Sequence, residues 1–490
     1  MRLILCDKTG IISLQGNMRD KTNKTLGLVI TDGVGVRNFV HGRFLFTACT
    51  TFDQVILFSG VPSKTLGSLD LMNLKVVSMD IFSESRWSSF WRKTAEMAHL
   101  FRFQTPAMQE IVKMNRPRGW NAFAMRNRLS WVIARSLAFL GLQSLAGNIY
   151  ESSLNRYALT KKYKQWLVEY DIDLLFFTHQ RPPQIAPMAI AGKLLGIPTI
   201  AYIFSWDNLS SKGRMPVLFD RFLVWSDLMK SELLQFYPKL DSKDVSVTGT
   251  PQFETYVYDQ FGWSRKQLNM YLRLPETDDR RIICFSCGDV STSPNDDLYI
   301  EVIASALANE SWGNELLLLV RTSPAEDASR FHDLRVKYPF IVWNIPDWPQ
   351  SNPFHPEPWS QRVPTIDDIH CLKSILQHAD VSVNMCSTMS LDFALWDKPV
   401  INPVFGEIGN DTGMFPDRKY LKYDHYDKVI ETGAVSICAN ADELISAIKN
   451  ALDQPNQYQS ERKRVLDLEI GRPLDGTSDR FVNQLCRWAS

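Results

Sequence analysis

Neither sign of charge is in excess in this chain. Lys+Arg and Asp+Glu each number 54 among 490 residues, so no global field exists to draw in nucleic acid or an acidic partner, and any electrostatic specialisation must be local. Paired cysteine patterns are missing too. The eight cysteines are scattered, several of them inside apolar runs (Cys284, Cys371, Cys438), which suits buried thiols in a reducing compartment and not a disulfide framework. Cys284 and Cys287 form a C-x-x-C, but no second pair follows and the first cysteine lies within an apolar run, which argues against zinc or redox chemistry. No metal and no cofactor is expected. The start of the chain shows no apolar core of about 7–15 residues followed by a small-residue cleavage site. The nearest approach to a membrane span, residues 131–149, is interrupted by Arg135, Gln143, Ser144 and Asn148, so a buried helix is expected there. These absences together predict a cytoplasmic protein.

What is present is the material of a large globular protein. Apolar residues make up 45% and charged residues 22%, enough to bury substantial cores, and the length exceeds what one core accommodates. Apolar β-like runs recur from residue 26 onward and at 54–59, 74–78, 173–178, 198–204 and 221–225, with spacers long enough for crossover helices. The rhythm restarts at 282–286 and continues at 315–320, 340–343, 379–384, 399–402 and 434–438. This predicts an α/β protein of two doubly wound domains facing a cleft, 1–250 with 1–25 as an extension, and 251–490. The Pro-rich stretch 346–364 reads as an ordered surface loop. Between 86 and 135, Arg86, Arg92, Lys93, Arg102, Lys113, Arg116, Arg118, Arg126, Arg128 and Arg135 outnumber Glu96 and Glu110, with Trp87, Trp91, Trp120 and Trp131 interleaved. Such a stretch is either a solvated helical face packed by its aromatics or a surface that rests on anionic lipid headgroups.

The most informative segment is Val381-Ser-Val-Asn-Met-Cys-Ser-Thr-Met-Ser-Leu-Asp-Phe-Ala-Leu-Trp-Asp-Lys-Pro-Val-Ile401, which reads as strand, hydroxyl-bearing turn, short helix and strand. With Ser387 or Thr388 at the N-cap, free N–H groups and two hydroxyls converge where a diphosphate could sit, and Asp392 lies one turn on, placed to accept ribose hydroxyls. A plain capped helix packed by Met389, Phe393 and Ala394 would carry the same residues.

This segment resembles the donor-binding motif of GT-B enzymes, particularly surface-polysaccharide glycosyltransferases, CDP-glycerol glycerophosphotransferases and UDP-N-acetylglucosamine 2-epimerases. The resemblance implies two Rossmann-like domains, with Ser387 and Thr388 on the diphosphate and Asp392 on the ribose of a nucleotide-sugar. It extends to Asp32-Gly-Val-Gly-Val-Arg-Asn38, Phe204-Ser-Trp-Asp-Asn-Leu-Ser-Ser-Lys-Gly213, Val247-Thr-Gly-Thr-Pro-Gln252, Val320-Arg-Thr-Ser-Pro324 and Asp475-Gly-Thr-Ser-Asp-Arg480. It implies a glycosyltransferase with a nucleotide-sugar donor and a glycan or lipid-linked acceptor, with a UDP-sugar epimerase or polyol-phosphate transferase on the same fold, or a non-catalytic partner subunit, as alternatives; the basic aromatic stretch adds peripheral contact with the inner face of the cell membrane, and the balanced charge gives no nucleic-acid partner.

Beside it stand the residue-level candidates. Gly288, after the first strand of the second domain, would let backbone amides approach a phosphate. Arg321 would neutralise a departing diphosphate, or pair with Glu326 or Asp327. Asp207 and His179 both follow apolar strands at the cleft edge and are candidates for the catalytic base, with structural bracing the alternative for each. Gly33, Gly35, Arg37 and Asn38 resemble the first-strand loop of GT-B enzymes, which implies that they shape the acceptor side. The acidic pairs Asp278-Asp279, Asp296-Asp297 and Asp367-Asp368 follow no strand convincingly and read as turn and helix-start residues, not as a metal site.

Overall fold

The computed structural model describes residues 5–7 and 10–12, for the backbone only, and 22–67, 69–309, 315–407 and 417–489. Parallel strands covered by helices on both faces are apolar along their whole length, not in alternation. Such runs, with polar residues at the start of β3 and in the edge strands β5 and β9, build β3 (Thr22–Ile30), β4 (Phe52–Ser59), β5 (Leu74–Ser78), β6 (Leu174–Phe177), β7 (Thr199–Tyr202), β8 (Arg221–Val224) and β9 (Val245–Val247), after a short hairpin of β1 (Leu5–Asp7) and β2 (Gly10–Ile12). They pair in parallel in the order β5-β4-β3-β6-β7-β8-β9. A second parallel sheet takes β10 (Arg281–Ser286), β11 (Leu316–Arg321), β12 (Val342–Asn344), β13 (Val381–Val383), β14 (Val400–Pro403) and β15 (Val435–Cys438) in the order β12-β11-β10-β13-β14-β15. Each sheet starts in its middle, grows to one edge and then returns to grow to the other. This reversal leaves a crevice at the carboxyl ends of the two central strands, where open α/β sheets hold ligands. In the first sheet the crevice lies between β3 and β6, in the second between β10 and β13.

Several expectations change. Strand β3 begins at Thr22, so residues 22–25 belong to the sheet and not to an extension; most residues before them lie outside the described residues. Strand β9 occupies part of the stretch read as an interdomain boundary, three residues being too few to announce a strand. The 131–149 region is not a single buried helix. It is the end of helix Ala122–Phe139 and the start of helix Gln143–Leu154, separated at Gly141, whose φ of +71° stops the first helix, and Val132, Phe139, Leu140, Leu142 and Leu145 are exposed. The 346–364 loop lies across the join between the units: Gln361 is buried and donates from Nε2 to the Thr31 carbonyl at 3.3 Å, and His355 bonds Gln184 at 3.0 Å.

The last helix, Thr477–Ala489, leaves the second unit and packs on the first. Phe481 enters an aromatic cluster with Phe39, Phe44, Phe176 and Tyr202, ring centroids 5.5–6.2 Å away. Its N-terminus is capped from the connecting segment: the buried Glu254 carboxylate accepts from the Ser478 N–H at 2.9 Å and from the Ser478 hydroxyl. Arg480 donates from Nε to the Thr248 carbonyl at 2.9 Å. By packing, residues 477–489 therefore belong with the first unit, against their place in sequence. The glycine of Val247-Thr-Gly-Thr250 takes φ +87° beside Arg472 and Arg480, so this motif and Asp475–Arg480 form the two halves of one joint.

Removing a fully buried aromatic costs about 3–5 kcal/mol. Phe481→Ala is expected to lose that much in a denaturant titration; a loss below about 1 kcal/mol would mean the helix does not anchor the two units.

Candidate functional site

At the first crevice, the chain leaves β3 through Thr31 and Asp32. Asp32 caps the turn that follows: its Oδ1 accepts from the Gly35 N–H at 2.8 Å, and its Oδ2 lies 3.2 Å from the Thr31 hydroxyl and 3.1 Å from Nδ1 of His179. His179 leaves β6, and its ring stacks on Phe204, centroids 3.9 Å apart and planes 15° apart. Burial pushes the Asp32 carboxyl up, but the His179 hydrogen bond and charge, with the Gly35 and Thr31 bonds, outweigh it and hold the group below the ordinary carboxylate value. An ionised Asp32 holds the proton of the imidazole on Nδ1, which leaves Nε2 as the basic nitrogen. Nε2 makes no hydrogen bond to another described residue. The pair opens on a cavity of about 260 Å³ whose charged lining is Arg92, Glu96, Arg181, Arg214 and Glu357. Arg92 is committed to Glu84 through two bonds of 2.7 and 2.9 Å; Nε of Arg214 is buried without a partner.

Asp207, the other candidate base, is placed differently. Its carboxylate accepts from the Ser211 hydroxyl at 2.8 Å and from Asn208 Nδ2 at 3.1 Å, with Lys212 Nζ 3.8 Å away. Burial raises it, but Lys212, His425 and the serine hydroxyls more than compensate and hold it well below the usual range. These bonds, with that of the Ser211 hydroxyl to the Asp207 carbonyl, brace the loop. The side chain from that loop that reaches across the cleft is Trp206, whose Nε1 donates to Thr388 Oγ1 at 3.0 Å.

On the second unit, Ser387 and Thr388 do open the short helix after β13, and Asp392 lies one turn on, but their polar atoms are already engaged. Ser387 donates its N–H to Asn384 Oδ1 at 3.0 Å and accepts the Met389 N–H at 3.3 Å. Asp392 is buried and accepts from the Tyr256 hydroxyl at 2.5 Å. Burial pushes it up to about 6, against the pull of Tyr256 and of the Arg37 charge. Arg321 is not poised for a diphosphate: its guanidinium is buried against Asp368 at 2.8 Å and Asn344, neither of the partners foreseen. The Gly288 N–H donates to Asp296 at 3.0 Å, so it is occupied as well, and the glycine is required because a Cβ there would sit 2.7 Å from Ser293. One member of each acidic pair is bound to an arginine: Asp278 to Arg280 at 2.6 Å, Asp296 to Arg330 at 3.1 Å and Asp368 to Arg321.

The residues assigned to the acceptor side join the units. A Cβ on Gly33 would lie 1.7 Å from the Arg362 carbonyl oxygen of the 346–364 loop, and one on Gly35 would crowd Ile30 and Thr178. Arg37 donates from Nε to Asn38 Oδ1 at 3.0 Å and lies 6.0 Å from the Trp348 ring of the second unit. Asn38 is buried with its Nδ2 unpartnered. Sequence reasoning missed Asp32, Trp206 and Tyr256 as members of this site. Asp32 carried a signal in its place before the glycine turn; Trp206 and Tyr256 declare themselves only through partners far along the chain.

No family model and no curated protein matches this chain. Among solved structures it is similar to an S. aureus MnaA solved with UDP, at 10% identity and TM-score 0.52 over 95% of this chain and 96% of that one. It is similar also to the UDP-GlcNAc 2-epimerase from Neisseria meningitidis bound to UDP-GlcNAc, at 9% identity and TM-score 0.51 over 95% of this chain and 100% of that one. With the two sheet orders, these likenesses establish a GT-B fold of two Rossmann-like domains facing a cleft.

The raised Asp392 value sets a sign. Its titration lies above the unfolded value of about 4, so the stability it lends is present below about pH 4 and is lost as pH rises through 6. Tyr256→Phe removes the donor that favours the ionised form. The variant is expected to lose about 1–3 kcal/mol against the native chain above pH 6 and less below it, read from denaturant midpoints across pH; a pH-independent difference would contradict the assignment.

Proposed function

We propose that this chain is a nucleotide-sugar-dependent glycosyltransferase that adds a sugar to a surface-glycan or lipid-linked acceptor at the cytoplasmic face of the membrane. The observation that carries the reading is the Asp32–His179 pair, opening on a cavity at the carboxyl edge of the first sheet that Glu357, Trp359 and Ser360 of the second unit help to line. The acceptor occupies the cavity and the nucleotide lies against the second unit. The acceptor hydroxyl oxygen attacks the anomeric carbon as its proton passes to His179 Nε2; the bond from that carbon to the diphosphate oxygen breaks, and the nucleoside diphosphate leaves with the electron pair. Asp32 stabilises the imidazolium that forms. Donor entry exchanges the Trp206 bond to Thr388 and the Tyr256 bond to Asp392 for bonds to phosphate and ribose, with Arg37 supplying positive charge. The reaction proposed needs no metal ion.

A second reading, a nucleotide-sugar 2-epimerase, is favoured by the fold likeness to the N. meningitidis UDP-GlcNAc 2-epimerase. It differs in needing no acceptor. Incubation with a nucleotide-sugar alone therefore separates the two: an isomerised sugar supports the epimerase, and turnover that waits for acceptor supports the transferase.

For the transferase, His179→Ala is expected to lower kcat about 10²–10⁴-fold with the donor KM little changed, and Asp207→Asn is expected to lower stability more than kcat. Steady-state kinetics that show the reverse order would make Asp207 the base.

A further inference from the structure

The helices between β5 and β6 exceed what a doubly wound core needs, and their surface is unusual in two ways. Residues 97–150 contain seven Lys or Arg and a single carboxylate, Glu110. Helix Ala122–Phe139 also has its faces inverted. The buried side is Ala124, Ser130, Ala134 and Ala138, while Met125, Leu129, Val132 and Phe139 point outward at helical spacing. Small residues inside let this helix lie close to helix Arg86–Phe103; the large apolar ones outside are more than half exposed among the described residues. Phe139 is 89% exposed and Trp120 83% exposed, and Leu140, Leu142 and Leu145 extend the apolar ridge past Gly141. Apolar surface on this scale is uncommon on a monomer unless something covers it.

Beside the ridge is a hollow of about 830 Å³ among the ends of three helices, lined by Arg102, Lys113, Arg116 and Arg135 with Phe101 and Trp131. Arg102, Arg116 and Arg135 pair with no carboxylate among the described residues. Arg128 lies 3.9 Å over the Trp120 ring, and Arg126 lies 5.4 Å from that of Phe123. An apolar ridge flanked by unpaired cations and rimmed by tryptophan matches a bilayer boundary, acyl chains below and phosphates around.

We propose that this face seats the protein on an anionic lipid bilayer. Phe139, Leu140 and Leu142 enter the acyl boundary, and Arg102, Arg116 and Arg135 hold lipid phosphates in the hollow. The contact is narrower than the whole 86–135 stretch, because Arg92 faces the cleft and is bound to Glu84. Helix Arg86–Phe103 joins the two places: it lines the cleft cavity with Arg92 and Glu96 and the hollow with Phe101 and Arg102. Nine residues separate Arg92 from Phe101, about 14 Å along a helix. Only the link to a lipid-linked acceptor rests on the transferase reading; the seating on lipid does not.

The test is co-sedimentation of the full chain, without nucleotide, with phosphatidylcholine vesicles lacking or containing phosphatidylglycerol. Selective binding to the anionic vesicles is expected. Each cation near such a surface contributes about a fivefold gain in partitioning, so Arg102→Gln/Arg116→Gln/Arg135→Gln should weaken binding about 100-fold. Phe139→Ser/Leu142→Ser should weaken it at least about tenfold with an unchanged melting temperature. Equal sedimentation of native and variant chains, or no binding to either vesicle, overturns the proposal. So does light scattering that finds a dimer dispersed by Phe139→Ser, since the ridge would then join two copies. A transferase assay in detergent with a water-soluble acceptor fails or succeeds independently of all these outcomes.

Discussion

The anchoring of the last helix is the constraint on which the cleft depends. Helix Thr477–Ala489 belongs to the second unit by sequence and to the first by packing, and it is pinned at both ends of its first turn: Glu254 caps it and Phe481 fills the aromatic cluster above β6. With that crossing in place, the carboxyl edges of two seven- and six-stranded sheets are held face to face. Gly33 can then meet the Arg362 carbonyl, Arg37 can lie by Trp348, and Trp206 can reach Thr388. Each of these contacts joins the units, and each is meaningful only because the crossing helix sets their distance.

The second consequence is that the turn after β13 is polar and its groups are engaged. Trp206, Tyr256 and Asn384 satisfy the groups that a nucleotide would otherwise use. Exchanging one hydrogen bond for another costs little net free energy, whereas leaving a buried carboxylate such as Asp392 unpaired costs several times more. The two aromatic donors thus keep the buried polar groups of the turn satisfied. At the first crevice, by contrast, the His179 ring is held by the buried Asp32 carboxylate beside a cavity.

How much of this could be read in the sequence follows from range. Strands buried on both faces announce themselves as apolar runs, so both sheets were legible, down to the restart near residue 282; β9, an edge strand of three residues, was not. Ser387, Thr388 and Asp392 were legible as a turn and short helix because turn and helix signals are local, although Thr388 at the N-cap makes no side-chain cap bond. Two side chains at strand ends turn elsewhere than the sequence suggests. Arg321 faces inward to Asp368, and Asp207 folds back on Ser211, and nothing within a few residues of either position dictates this. The pairs that define the site, Asp32 with His179 and Tyr256 with Asp392, are separated by 147 and 136 positions. The exposed ridge was hidden for another reason: residues 131–149 look like a buried helix because apolar residues lie on its outer face, and only the small residues on its inner face distinguish the two.

The claim at the centre of this account is that a nucleotide-sugar donor binds between Trp206 and the turn that follows β13. Amide hydrogen exchange on the full chain, with and without saturating UDP, CDP or GDP, addresses it directly. One of these nucleotides should slow exchange in residues 384–394 and change it in residues 204–211, as the Trp206 bond to Thr388 is replaced. If no nucleotide alters exchange in either segment, the donor site is elsewhere and the cleft assignment fails.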